Sequence, residues 1–114
     1  MFAHEKLDAY WIALELAKVC KRIADRIPRG HRNVADHLTR ASANTVLLLA
    51  EGANRRGAAL KRQRFVESRG ECGETASAGD LLVVLELGDK DVPRMKELAA
   101  RVSAMLTRLI ERLE

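Results

Sequence analysis

The chain has 114 residues, of which 47% are hydrophobic and 4% aromatic, and its formal net charge is +4. This length allows one compact domain, residues 1–114, and the wealth of Ala, Leu, Arg and Glu predicts an all-α protein. Two cysteines exclude a disulfide framework or a zinc site, and no apolar run reaches the length of a signal sequence or membrane span. We therefore expect a cytoplasmic protein that has no membrane association.

The first half of the chain shows two helical patterns. Apolar residues spaced three and four positions apart predict a helix from Leu7 to about Ile27, where the stretch IPRGHRN ends it. Asn33 is expected to cap a second helix, which runs to about Gly52.

The second half repeats this organisation. A third helix is expected from about Ala58 to Gly88, a natural C-terminal glycine, and Asp91 is expected to cap a fourth helix with nearly heptad spacing. Connections this short require neighbouring helices to run antiparallel. The predicted architecture is an antiparallel up-down-up-down four-helix bundle.

Positive charge is concentrated in the first half of the chain. Residues 1–64 hold 13 Lys and Arg against 6 Asp and Glu, whereas residues 65–114 hold 7 against 10. Such residues can contact phosphates with little regard to base sequence, and two groups of candidates lie at opposite ends of the predicted bundle. The candidates are Lys18, Lys21, Arg22, Arg26, Arg29 and Arg32 around the end of the first helix, and Arg55, Arg56, Lys61, Arg62 and Arg64 at the second connection. The alternative is that these side chains are solvated and paired with acids.

Two runs of consecutive apolar residues, 46–49 and 81–85, point to all sides of their helices. A helix in a monomeric bundle needs only one apolar stripe, so part of each run is expected to face a second molecule. The alternative is a deep core with an occasional exposed leucine. The predicted interface between copies consists of Leu47, Leu48, Leu49, Leu81 and Val84.

Glu51 and Gly52 follow the first of these runs. A carboxylate near the C-terminal end of a helix is unfavourable unless it is paired, and Arg55 or Arg56 can neutralise Glu51. Gly52 either adopts a left-handed conformation or allows another chain segment to approach closely. A charge-paired turn and a binding role for Glu51 both remain open.

Two stretches, RASANTVLLLAEGANRR (40–56) and RFVESRGECGETASA (64–78), carry a family pattern together with the opening FAHEKLDAYWIALELA. The chain resembles the bacterial four-helix-bundle family of proteins encoded in intervening sequences of 23S rRNA genes, which also includes accessory variability proteins of diversity-generating retroelements. Residues on the pattern are Arg40, Ala41, Ser42, Ala50, Glu51, Gly52, Arg55, Phe65, Arg69, Gly70 and Glu74, and departures from it are His37, Asn44, Leu48 and Glu71. The resemblance implies a homo-oligomer, a ring of five bundles, that binds nucleic acid, and in the retroelement branch it implies contact with a reverse transcriptase.

Catalysis and base stacking find little support in the sequence. Glu67, Glu71 and Glu74 share one helical face, but metal sites in carboxylate bundles also need Glu-x-x-His pairs, which the chain lacks. No histidine has the spacing of a catalytic triad, and Cys72 is expected to be a buried hydrophobe. The few aromatic residues lie on or near apolar stripes, so no stacking platform is predicted.

We therefore expect no enzyme, no cofactor and no metal. The favoured hypothesis is a non-catalytic oligomeric bundle that binds RNA or DNA through basic surface, with the role of accessory to a reverse transcriptase that the retroelement branch of the resemblance implies. The alternative is a protein interaction scaffold that does not bind nucleic acid directly.

Overall fold

The computed structural model describes all 114 residues and consists of four α-helices. The helices are α1 (Asp8–Asp25), α2 (Arg32–Asn54), α3 (Ala58–Val84) and α4 (Val92–Glu111), with short 3-10 turns at Ala3–Lys6 and Arg29–His31. The predicted all-α four-helix bundle is confirmed. None of the helices combines the length and apolar character that a membrane crossing requires.

Each helix packs against two neighbours, and α4 contacts α1 to close the bundle, which measures 44 × 24 × 20 Å. The antiparallel order gives two distinct ends. The loop end holds the α1–α2 and α3–α4 connections, which are joined by an ion pair of 2.6 Å between Arg26 and Asp91. The terminal end holds the α2–α3 connection and both chain termini, and there Arg62 pairs with Glu114 at 3.1 Å.

All four helices contribute to one core of 22 buried residues. Large aliphatic side chains come from α1, α2 and α4, whereas the middle of α3 supplies small ones. Among these, the buried Ser68 hydroxyl donates a hydrogen bond of 2.7 Å to the Thr45 carbonyl oxygen of α2. Small residues on α3 therefore let it lie close to α2, because a short hydroxyl can reach the backbone of the neighbouring helix only at close approach.

The starts of α2 and α4 differ from the predicted caps. His31 is the N-cap of α2, because the 3-10 turn that ends at His31 leads directly into the helix. Asn33, the predicted cap, lies exposed in the first turn of α2. Asp91 is the N-cap of α4 as predicted, but its side chain makes no capping hydrogen bond. Its carboxylate binds Arg26 instead, so an ion pair between the two loops replaces the local cap.

The ends of α2 and α3 also correct the sequence prediction. α2 continues past Gly52 to its last residue, Asn54. α3 ends at Val84, before Gly88, and the residue with a left-handed backbone is Glu86, with φ of 60°. The N–H of Leu87 donates to the carbonyl of residue 82 at 2.8 Å, which completes a Schellman stop with glutamate in the place usually taken by glycine.

Candidate nucleic-acid interface

Half of the loop-end basic group is engaged by aspartates. Lys21 pairs with Asp25 at 2.6 Å, and Arg26 and Arg22 reach Asp91 at 2.6 and 3.7 Å. The hydrogen bond from Arg26 lowers the pKa of Asp91 below its ordinary value, as expected for a carboxylate held between cations. The members of the group that are exposed and make no ion pair are Lys18, Arg29 and Arg32.

The terminal-end group is opposed by acids from outside its own stretch. Arg55 hydrogen-bonds to Glu51 one turn earlier, as predicted, and this bond is the main cause of the lowered pKa of Glu51. Arg64 pairs with Glu67 and lies 3.4 Å from the same Glu51 carboxylate. Glu51 thus joins the end of α2 to the start of α3, which favours the charge-paired turn over a free binding role.

Lys61 and Arg56 differ in what remains available to a ligand. The Lys61 ammonium donates 2.8 Å to the Ala53 carbonyl, so it caps the C-terminal end of α2. Arg62 is paired with Glu114. Arg56 is exposed and is the one member of the terminal-end group with neither an ion pair nor a backbone carbonyl as partner.

Three further cations at the terminal end were missed by the sequence prediction. Lys6, Arg108 and Arg112 line a cavity of about 260 Å³ between the start of α1 and the end of α4, together with one acid, Asp8. All three are exposed, and none makes an ion pair. The signal was present, because α4 ends beside the start of α1 in this topology and a spacing of four places both arginines on one face.

Aromatic rings form a row at the same end. The ring centroids of Phe2 and His4 are 5.6 Å apart, those of His4 and Tyr10 4.5 Å, and those of Tyr10 and Trp11 5.3 Å. Phe2 is 68% exposed and Trp11 51% exposed, whereas Phe65 is buried. The expectation that the aromatic residues lie on or near apolar stripes is therefore wrong for Phe2 and Trp11, which are exposed.

Gly52 has a packing role. A Cβ atom added to Gly52 would lie 2.8 Å from Cδ1 of the buried Phe65 ring and 3.2 Å from Cβ of Arg64. Of the two alternatives left open for this glycine, the structure supports close approach, because its backbone is helical. The Glu-Gly step thus serves the α2–α3 junction, the carboxylate by ion pairing and the glycine by admitting the ring.

The other residues of the family pattern do not converge on one site. Arg40 donates to His37 Nδ1 at 3.0 Å on the surface of α2, and Arg69 donates to the Thr107 hydroxyl of α4 at 3.2 Å. Gly70 is exposed, and an added Cβ would meet nothing within 4 Å. Each therefore stabilises or lines a different part of the surface.

The predicted carboxylate face is a ridge on the outside of α3. Glu71 lies beside Glu74 and accepts a hydrogen bond of 3.4 Å from Asn44 of α2. Partial burial and the neighbouring Glu74 carboxyl raise the pKa of Glu71 above its ordinary value. The ridge faces a shallow groove that also contains Leu48 and Gly70.

The predicted interface leucines divide between core and surface. Leu49 is fully buried within the single chain, so its inclusion in an interface between copies was wrong. Leu47 and Val84 are 63% and 77% exposed, Leu81 is also exposed, and Leu48 is half-buried. These four leave apolar surface that the bundle itself does not cover.

Both cysteines are buried free thiols. Burial raises the pKa of Cys20 to about 12 and that of Cys72 to about 11. The Cys72 thiol lies 3.2 Å from the Ala99 carbonyl of α4. Because a thiol must ionise to act as a nucleophile, Cys72 behaves as the buried hydrophobe that was predicted.

These features together define a basic all-α bundle whose free cations lie mainly towards its ends. The model of the 23S rRNA-intervening sequence protein family matches residues 5–108, a span that includes nearly all of the four helices. The chain belongs to the 23S rRNA-intervening sequence protein family, and the resemblance to that family is confirmed, whereas the link to retroelement accessory proteins stays a prediction. No match was found among curated proteins.

Proposed function

We propose that the protein is a non-catalytic homo-oligomer that binds nucleic acid, RNA or DNA, through its basic surface. Family membership and the net charge of +4 support this function. The observation that carries it is the set of exposed cations at the terminal end that make no ion pair, namely Lys6, Arg56, Arg108 and Arg112.

Free cations matter more to this proposal than the total number of basic residues. A guanidinium that already holds a carboxylate must give up that partner to bind a phosphate, and the exchange gains little. A solvated cation releases phosphate counterions on binding at no such cost. The terminal end is expected to contribute more to binding than the loop end, because three of its free cations, Lys6, Arg108 and Arg112, surround one cavity. At the loop end Arg29 and Arg32 are free, but Arg22 and Arg26 are held by Asp91.

The absence of catalysis is also part of the proposal. Cys20 and Cys72 are held protonated by burial, which disfavours nucleophilic chemistry at either thiol. Free thiols suit a reducing compartment, so we place the protein in the cytoplasm.

Charge removal at each end tests the proposal. We expect the triple variant Arg56→Gln, Arg108→Gln and Arg112→Gln to bind a fluorescent RNA more weakly. The slope of log K against log salt concentration should become shallower by roughly 0.7–0.9 for each phosphate contact that is lost. The matched control is Arg29→Gln, Arg32→Gln and Lys90→Gln at the loop end, which removes the same charge. Binding is measured by anisotropy over a salt series, and helix content is checked by circular dichroism.

The two variants give separable results. A larger loss at the terminal end supports the assignment, and equal losses would show that binding depends on net charge rather than on this end. A wild-type protein that binds neither RNA nor DNA at low salt would exclude the proposed function.

We also propose that copies of the chain associate, as a ring of five on the strength of the resemblance. The exposed apolar side chains of Leu47, Leu81 and Val84 support association, because a second molecule that covers them removes apolar surface from water. Light scattering gives the mass directly, and a particle of 12.7 kDa would exclude an oligomer.

A protein interaction scaffold is the second candidate function. It is favoured by the exposed apolar side chains that end α3, among them Leu81, Val83 and Leu85. In this case the partner is a protein, such as a reverse transcriptase. A complex with that enzyme that survives nuclease treatment, together with absent RNA binding, would favour the scaffold.

A further inference from the structure

We propose that the aromatic row of Phe2, His4, Tyr10 and Trp11 stacks the unpaired bases of a single-stranded nucleic acid. The inference rests on the proposed function and deepens it, because it names single strands as the preferred ligand and the terminal end as their site.

The row is fixed to the bundle by hydrogen bonds. The Trp11 indole N–H donates to the Glu5 carbonyl at 3.0 Å. At the end of α2, the Asn54 amide donates to His4 Nδ1 at 2.8 Å and accepts from the Ala3 N–H at 3.2 Å. The Trp11 and His4 rings are thus held in place before any ligand arrives, and a preorganised surface loses less conformational entropy on binding.

The two exposed rings of the row, Phe2 and Trp11, present apolar surface to solvent. The polar atom of Trp11 is already satisfied within the chain, so its exposed surface is carbon. The Phe2 and His4 rings are nearly parallel, with an interplanar angle of 14°, and the outer ring of that pair faces solvent. Exposed aromatic rings such as these two match the π-faces of bases, which stack on aromatic side chains without regard to base identity.

Positive charge lies at the same end of the bundle as the row. Lys6 follows His4 by two residues, and Arg56 follows Asn54, the hydrogen-bond partner of His4, by two, so both cations lie at the same end of the bundle as the rings. A strand whose bases lie on the rings places its phosphates among cations, the arrangement found in proteins that bind single strands. A duplex hides its bases, so it can use the cations but not the rings.

Charge also argues against a second copy of the chain as the occupant. A second copy that used this same surface would bring its own Lys6 and Arg56 against these cations, and like charges at a contact are repulsive. A nucleic acid, which is a polyanion, instead neutralises the positive charge of Lys6 and Arg56. The electrostatics of the terminal end thus favour a nucleic acid over a contact in which two copies meet through the row.

Trp11 is the only tryptophan of the chain, so its fluorescence reports on the row alone. We expect titration with a short oligothymidylate to quench Trp11, and a DNA duplex of equal phosphate content to bind with less quenching. Phe2→Ala should weaken oligothymidylate binding about tenfold, the effect of losing one base-stacking partner, and leave duplex binding unchanged. Leu60→Ala is the matched control, because Leu60 is an exposed apolar residue near the same end but has no ring.

Each outcome decides between the proposals. Quenching by the single strand with a selective loss in Phe2→Ala supports the stacking row. Equal affinity for both nucleic acids, unchanged in Phe2→Ala, would overturn the row and leave the proposed function intact, whereas absent binding of both would remove the proposed function as well. Trp11 fluorescence that depends on protein concentration rather than on oligonucleotide would assign the row to self-association and overturn the inference.

Discussion

Gly52 lies where the ring of Phe65 leaves no room for a side chain. Gly52→Ala is expected to lower the free energy of unfolding by about 1–3 kcal/mol, because overpacking exceeds the gain in helix propensity. Gly70→Ala is the matched control and should raise it by up to about 1 kcal/mol, because the space around that helical position is open. Urea denaturation measures both, and equal stability of the two variants would show that the ring can move aside.

Glu51 and Glu71 should respond to pH in opposite ways. The pKa of Glu51 is lowered by Arg55, so its pair stabilises the fold above the ordinary value of 4.5 and is lost as pH falls through the lowered pKa. The pKa of Glu71 is raised, so its ionised form is unfavourable to folding once pH rises through that pKa. At neutral pH, Glu51→Gln should therefore destabilise the protein and Glu71→Gln should stabilise it.

Thermal unfolding over a pH series checks both signs. The two differences should shrink as pH falls well below 4.5, because the wild-type carboxylates are then protonated in the folded and unfolded chains alike. A Glu71→Gln variant that is less stable than the wild type at neutral pH would contradict the raised pKa.

At the level of helices, the stop of α3 places Glu86 in the left-handed region. Glu86→Gly is expected to stabilise the protein by about 1 kcal/mol, because glycine has no Cβ to clash there and Glu86 makes no ion pair that would be lost. Gly88→Ala, by contrast, should change stability by less than about 0.5 kcal/mol, because position 88 has an ordinary backbone and Cβ contacts no shorter than 3.4 Å. Chemical denaturation distinguishes them, and a destabilised Glu86→Gly would show that the side chain has a role of its own.

The helices themselves were predictable from periodicity, whereas their exact ends were not. Asp91 was placed correctly as the residue before α4, but the competition that decides its hydrogen bonds comes from Arg26, which is far away in sequence. Gly88 was the expected end of α3, yet the helix ends at Val84, and backbone hydrogen bonds hold Glu86 in the left-handed conformation that follows it. Local preferences define which segments are helical, and contacts between segments decide where each one ends.

For the whole molecule, Leu47 and Leu49 separate assembly from folding. Leu47→Glu should keep the helix content of the wild type and reduce the mass of the particle, because Leu47 is exposed in the single chain. Leu49→Glu should unfold the protein, because it places an unpaired carboxylate in the core. Circular dichroism and light scattering measure the two effects, and a Leu47→Glu particle of unchanged mass would remove Leu47 from the interface.

The candidate site was predictable only in part, because contacts between segments that are distant in sequence decide which cations are paired. Arg55 and Glu51 are one helical turn apart, so their pair could be inferred from the sequence. The partner of Arg62 is Glu114, and no local pattern connects these two residues. Which cations remain free, and that α4 adds its arginines to the terminal end, follow only from the packed bundle.

The antiparallel topology gives the bundle two ends that differ in their side chains, the terminal end and the loop end. One end carries the aromatic row and the cavity lined by Arg108 and Arg112, whereas the other end, up to 44 Å away, carries the ion pairs of Arg26 with Asp89 and Asp91. Copies that pack side by side with parallel axes would form a disc in which all the terminal ends lie on one face and all the loop ends on the other. A strand of nucleic acid would then run around a single face of the disc, and the opposite face would remain open to other molecules.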